Sequence, residues 1–420
     1  GGTFVLGAGS RYVKARRARP EDMTFYSSSR TVDDEGVAAF TCPPNDPYCS
    51  PEQYGRIRTV WEAYDITADV TLADAYAEVT PQWDWFGLRA GLRLDYNDYN
   101  VNFDLAPRVV ATANVLPDVT LSAGFNRYYS SREAIAMAVR DAQPRGQAYM
   151  RSAPGGVVSS TWTQLGNSGD FGNSASGLKT PYVDEFTAGL VWHEPLFDGV
   201  VRFRGINRQK RDQYAVAGNS SVNNTWLTNE GSGFYKSLTL EYLRSWEVDD
   251  AGPLTRLGFK TSATWEDRKV SNNTYFENDD IETYIYYKGQ SYTRSEFKKV
   301  TGNLQIPVNL DVALISGWFN DRVELGMSAD VNFPYQGVRY TGERYIGGIW
   351  HAAYDDYQYK TNVFVDAMAR ARLWDWSEDG GLSLELRVEN VFDTIGDRVA
   401  SYDNPFVRGR TFWIGASATF

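Results

Sequence analysis

The chain has 420 residues, with 53 acidic and 42 basic side chains and a formal net charge of -11, which argues against nucleic acid as a partner. Two histidines and two cysteines leave little material for a metal site, and no apolar run approaches the roughly 18 residues of a membrane helix. A membrane β-barrel stays open, because its strands need only about 9–11 residues with every second one facing lipid.

The first stretch, GGTFVLGAGS, lacks the basic start and long apolar core of a signal peptide. The sequence is therefore expected to be processed, cut, or part of a longer protein. Weak alternation of apolar and polar residues begins near Phe4, Val70 and Arg108. It is clear in 86–95, where Phe86, Leu88, Ala90, Leu92 and Leu94 alternate with Gly87, Arg89, Gly91, Arg93 and Asp95. Side chains alternate across a strand, so each such run predicts a strand with two unlike faces. Further runs begin near Asp118, Val183, Val201, Leu238, Leu257 and Ile306, then at 321–333, near Val363, and at 382–389. The last is RTFWIGASATF, with Phe412, Ile414, Ala416, Ala418 and Phe420 on one face. The total is about 14 strands, nearly all long enough to cross a bilayer. One face of each mixes charge with Gly, Ser and Thr, as a wet lumen requires, while the other is mostly Leu, Val, Ala and Phe, as lipid requires.

Connections between these strands mostly alternate in length. Short ones fall near 81–84, 116–119, 195–199, 248–253, 316–321 and 375–380, and long ones cover roughly 14–66, 131–180, 215–232, 268–303, 335–357 and 390–407. One connection, near 99–103, is short where the alternation asks for a long one. A transmembrane barrel has tight periplasmic turns and long external loops. Trp83, Trp85, Trp192, Trp246, Trp318, Trp374 and Trp376 all lie at or near the short turns, as an interfacial indole girdle would. The expected fold is all-β, a transmembrane antiparallel β-barrel with its short turns in the periplasm.

Three stretches resemble the C-terminal barrel of the TonB-dependent outer-membrane receptors. They are YAEVTPQWDWFGLRAGLRLDYNDYN (76–100) with LAPRVVATANVLPDVTLSAGFNRYYS (105–130), LKTPYVDEFTAGLVW (178–192) followed by NEGSGFYKSLTLEY (229–242), and LELRVENVFDTIGDR (384–398) with VRGRTFWIGASATF after it. Within the last, Glu389-Asn390-Val391-Phe392-Asp393 is similar to the family's Asn-Leu-Phe-Asp pattern, with Val391 in place of Leu. The resemblance implies a barrel of about 22 strands around a plug, so the chain is expected to be the C-terminal part, residues 1–420, of such a barrel without its plug. The missing plug and strands are then expected in the same or a partner chain, and any two chains must close edge to edge, since an open edge in lipid leaves backbone groups unpaired. Resemblance also implies energy-coupled uptake through a TonB complex acting on that plug, for a metal chelate, vitamin, glycan or peptide. The other reading is a self-contained passive pore or a structural outer-membrane protein. A terminal aromatic strand is, by resemblance, the signal read by the barrel-assembly machinery, which assigns that role to Phe412, Ile414 and Phe420.

Nothing reads as an active site or a cofactor site, and no enzyme is expected. His193 lies beside a short turn, a structural or surface position. His351 lies in GGIWHAAYDDYQY (347–359). External loops carry recognition, and aromatic rings supply rigid contact area. Arg339, Tyr340, Trp350, His351, Tyr354 and Tyr357 are therefore the candidate ligand contacts, against the alternative of a loop packed on its neighbours. Cys42 and Cys49 close a small Pro-containing loop outside the cytoplasm, so a disulfide is expected over metal binding or free thiols. The acidic run ENDDIE (277–282) lacks a calcium-loop spacing and reads as a solvated loop. The Gly-rich segments GGVVSS and GNSGDFGNSASG precede no basic helix and suit a mobile loop rather than a phosphate cradle.

Overall fold

The computed structural model describes residues 1–130, 134–168, 177–219, 224–248, 252–270, 284–301, 306–347, 349–377, 380–397 and 409–419. ENDDIE, most of GNSGDFGNSASG and Phe420 lie outside them. The chain starts on β1 (Gly2–Arg19), leaves it for β2 (Met23–Thr31), the single turn α1 (Val32–Glu35) and β3 (Gln53–Trp61), then returns on β4 (Tyr64–Pro81). Three strands follow closely: β5 (Phe86–Asn97), β6 (Asn102–Leu116) and β7 (Val119–Tyr129). A second excursion holds α2 (Ala134–Asp141), β8 (Gly146–Met150) and β9 (Thr163–Ser168). Next come β10 (Tyr182–Glu194), β11 (Gly199–Asn219), β12 (Asn224–Glu247) and β13 (Leu254–Val270). The third excursion has β14 (Tyr284–Tyr287), β15 (Gln290–Thr293) and α3 (Arg294–Thr301). After β16 (Val308–Trp318) and β17 (Val323–Asn332), the fourth is a hairpin of β18 (Tyr335–Ile346) and β19 (Ile349–Tyr359). The chain closes with β20 (Asn362–Asp375), β21 (Gly381–Glu389) and β22 (Thr411–Thr419).

Fourteen of these strands form one sheet, β1-β4-β5-β6-β7-β10-β11-β12-β13-β16-β17-β20-β21-β22, in which each strand pairs with the next one along the chain. The register makes each face continuous. On one face a row runs through Leu6, Ala77, Leu92 and Pro107; farther along, Phe125 pairs with Phe186, Leu310 with Val331, and Leu386 with Ile414. Large apolar side chains stand open on this face, with Leu6 66%, Leu105 49%, Leu240 51%, Phe412 67% and Ile414 69% exposed. A water-facing surface rarely carries so broad an apolar area, so this is the lipid face. The other face carries ion pairs such as Arg89–Glu78 at 2.8 Å, Arg208–Glu185 at 2.5 Å and Arg256–Glu324 at 3.0 Å.

The short turns near 81–84, 116–119, 195–199, 248–253, 316–321 and 375–380 fall at one end, and all seven Trp of the expected girdle lie in or beside them. Glu194 closes one such turn: its carboxylate accepts the backbone N–H groups of Leu196, Phe197 and Gly199 at 2.8–3.0 Å and the Tyr242 hydroxyl at 3.0 Å. The short connection at the opposite end is present, as residues 98–101 between β5 and β6. One expectation needs correction. Residues 215–232 are not a long loop, because β11 and β12 run on as a hairpin of 21 and 24 residues in which Ala215 faces Thr228. From Ala215 to Asn219 each residue of β11 has a cross-strand partner on β12, beyond register shifts around Gln213, and this pairing outweighs the turn-prone Asn, Ser and Gly of the segment.

Candidate functional site: the outer loop sheets and the lumenal wall

At the long-loop end the excursions are folded. Segments from the first and second make a four-stranded sheet, β2-β3-β8-β9; segments from the third and fourth make another, β15-β14-β19-β18. Against the first sheet, Tyr54 of β3 forms a small core with Phe40, Ala153 and Val158 of the connecting segments, and Cys42 and Cys49 are joined as a disulfide. Beside it Arg151, with its side chain 1% exposed, pairs with Asp46. It also donates to the carbonyls of Gly55 at 2.8 Å and Tyr48 at 3.1 Å, and its guanidinium lies 4.5 Å from the Trp162 ring centre. Each guanidinium nitrogen of this buried cation thus has an acceptor, and its face has a π partner, as such burial favours.

The second sheet separates the six candidate residues. His351 is 4% exposed, with Nε2 2.6 Å from the Ser291 hydroxyl and its ring against Tyr284. Tyr354 packs edge-to-face with Tyr340 and against Phe297 of α3, beside the core of Ile285, Tyr287, Phe297 and Val338. Arg339 lies over the Tyr357 ring at 4.7 Å, and the Tyr357 hydroxyl donates to Asp397 at 3.0 Å. Only Tyr340 and Trp350 are well exposed, at 51% and 62%. Strand alternation puts Trp350, Ala352 and Tyr354 on one face of β19 and His351, Ala353, Asp355 and Tyr357 on the other, but it does not give the split, since Trp350 is open while Tyr354 on the same face packs on the core. Lys288 and Asp356 pair at 2.8 Å at the edge, and the Lys288 ammonium, with the Tyr287 hydroxyl, holds the Asp356 carboxyl below its usual range.

Below the loops, β11 places Arg202 and Arg204 on the lumenal face, and β13 places Lys260 on the same face. None of the three has a carboxylate partner among the described residues. Toward the short-turn rim Arg202 and Lys260 border a depression of about 620 Å³ floored by Val200, Leu243, Ala313 and Ile315. The alternation R-F-R-G in 202–205 signals this wall in the sequence. The buried Arg151 carries no comparable local signal.

No family model matches the chain. Its sequence is 22% identical over 362 residues to the uncharacterized protein YddB of Escherichia coli (strain K12), over 80% of this chain and 42% of that protein. The crystal structure of the outer membrane transporter YddB from Escherichia coli superposes with a TM-score of 0.68 at 17% identity, over 100% of this chain and 52% of that one. A mutant of the ferric enterobactin receptor PfeA from Pseudomonas aeruginosa, in complex with enterobactin, gives 0.54 at 16% identity, over 99% and 60% of the two chains. The fold is that of the TonB-dependent outer-membrane receptors. The FrpB iron transporter from Neisseria meningitidis matches as well, with a TM-score of 0.51 at 14% identity over 87% of this chain and 51% of that one. This receptor-barrel fold spans the outer membrane of Gram-negative bacteria, with the lipid face of the sheet outward. The chain spans about half the length of these proteins.

Proposed function

We propose that the chain forms part of the wall and external loops of a receptor that imports a ligand across the outer membrane by energy coupling. The observation that carries the reading is the two-faced 14-stranded sheet whose long connections gather at one end into folded sheets. A wall of this kind separates lipid from a polar lumen, and ordered external loops are where recognition sits. The lumenal cations Arg202, Arg204 and Lys260 face the space that a plug from the rest of the protein occupies, and the TonB complex acts through that plug. A self-contained pore is disfavoured: β1 and β22 are the sheet's edges, and among the described residues neither pairs with the other. Open edges in lipid are costly, so further strands complete the barrel.

The ligand is a metal chelate, vitamin, glycan or peptide, and the names of PfeA and FrpB make iron chelates the first class to test. The experiment is accumulation of labelled ferric chelates, cobalamin, oligosaccharides and peptides by cells with and without the gene, each with and without a protonophore. Energy-coupled import predicts a ligand whose uptake is lost both on deletion and on collapse of the proton gradient. Steady conductance of the full-length protein in a planar bilayer, with gene-dependent uptake that ignores the protonophore, would instead establish a passive pore.

A further inference from the structure

The first outer sheet contains a groove of about 410 Å³, within the range of small-ligand sites. Tyr26, Ser27, Ser28, Ser29, Tyr48 and Gln53 line it, and none of its lining residues carries a charge. Three consecutive serines on one groove are unexpected, since neighbours on a strand point to opposite faces. The cause is local. Ser28 has φ of +52°, in the left-handed region that non-glycine residues rarely adopt, while Ser27 still faces Ile57 and Ser29 still faces Gly55. The pairing frame is kept while the strand turns at one residue, and strain of this kind is characteristic of binding sites.

The polar groups are also uncommitted. The hydroxyls of Ser27, Ser28 and Ser29 and the side-chain amide of Gln53 make no hydrogen bond to any described residue. By contrast the aromatic wall is fixed: Tyr26 and Tyr48 stack with ring centres 3.5 Å apart, and Trp162 meets Tyr26 edge-on at 6.0 Å. Tyr48 is held by the Arg151 and Gly55 bonds to its carbonyl and by the adjoining Cys42–Cys49 bridge, yet it remains 45% exposed. A fixed aromatic face, a row of free hydroxyls and an amide, with no charge, match a ligand that presents C–H faces and many hydroxyls. We infer that this groove is a binding site for a neutral carbohydrate at the cell surface. The inference stands apart from the transport reading, because a surface sugar site needs no import.

Two sources share the chemistry, a free oligosaccharide and the sugar chain of an outer-membrane glycolipid. The test uses the full-length protein in a detergent without a sugar headgroup, with saturation-transfer NMR and calorimetry. The probes are neutral gluco-, galacto- and manno-oligosaccharides, delipidated polysaccharide from the host outer membrane, a uronic-acid oligosaccharide and a neutral peptide. Binding of a neutral oligosaccharide identifies a free source, binding of the polysaccharide alone identifies the glycolipid, and either supports the site. Tyr48→Ala is expected to weaken the sugar by up to about tenfold, the worth of one aromatic contact. Ser28→Gly separates binding from folding, since it removes a hydroxyl and relieves the strained φ; it should weaken the sugar while leaving the melting temperature unchanged or higher. Tighter binding of the uronate or the peptide, no binding in any neutral-sugar arm, or unchanged affinity in both variants would overturn the inference.

Discussion

Arg151 illustrates how a single side chain organises an external loop. Its guanidinium ties Asp46 and the carbonyls of Tyr48 and Gly55 to the face of Trp162, so segments about a hundred residues apart meet at one buried charge. Removing one partner of a buried pair leaves the other uncompensated, at a cost of about 3–5 kcal/mol. Arg151→Met should therefore make the first outer sheet labile in limited proteolysis while the wall strands stay resistant. Burial pushes the Asp46 carboxyl up, but the hydrogen bond and charge of Arg151, with the Tyr48 N–H, outweigh it and leave the group below the usual carboxylate range. A depressed pKa contributes stability that is present above the unfolded value of about 3.9 and is lost as pH falls through the folded value. Protease resistance of this sheet should thus be constant down to about pH 4 and fall below it, and the Arg151→Met protein should have lost that dependence. The Cys42–Cys49 bridge closes a loop of sequence separation 7, and its loss in Cys42→Ser/Cys49→Ser should cost the same sheet about 2–3 kcal/mol, read as an earlier hydrogen-exchange midpoint. Of these residues only the cysteines were legible in the sequence, because short spacing announces a local bridge. Arg151 looks like any surface arginine until β3 and β8 pair.

Among the elements, what alternation encodes and what it leaves open are easily separated. Each wall strand states both of its faces locally, so the number of strands, the short turns and the Trp girdle could be read directly. The loop sheets depend on pairings between β3 and β8 and, in parallel, between β14 and β19. No local pattern specifies a partner so far along the chain, which is why these segments read as plain loops and why the sequence left His351 open between a ligand contact and a loop packed on its neighbours. The same face logic makes a sharp prediction on β17. Met327 points to lipid and Ser328, one residue on, points to the lumen opposite Asp366. Met327→Arg should cost about 2–4 kcal/mol near the bilayer midplane, whereas Ser328→Arg should stay within roughly 0.5 kcal/mol. The check is the urea midpoint of the full-length protein refolded into lipid vesicles, together with its amount in the outer membrane.

At the scale of the whole molecule, the sheet is a wall with two chemistries, a lipid face running from Leu6 on β1 to Ile414 on β22 and a charged face behind it. Its open edges, the loop sheets at one end and the tight turns at the other all follow from that division. Residue-by-residue accessibility along one strand tests it most directly. In the full-length protein in bilayers, single cysteines placed from Val323 to Asn332 carry a spin label, and collisions are measured with oxygen, which partitions into lipid, and with a water-soluble nickel complex. Labels at 325, 327, 329 and 331 should favour oxygen, and labels at 324, 326, 328 and 330 should not. Equal access of the nickel complex to both sets would contradict the account, because it would put water on the face assigned to lipid.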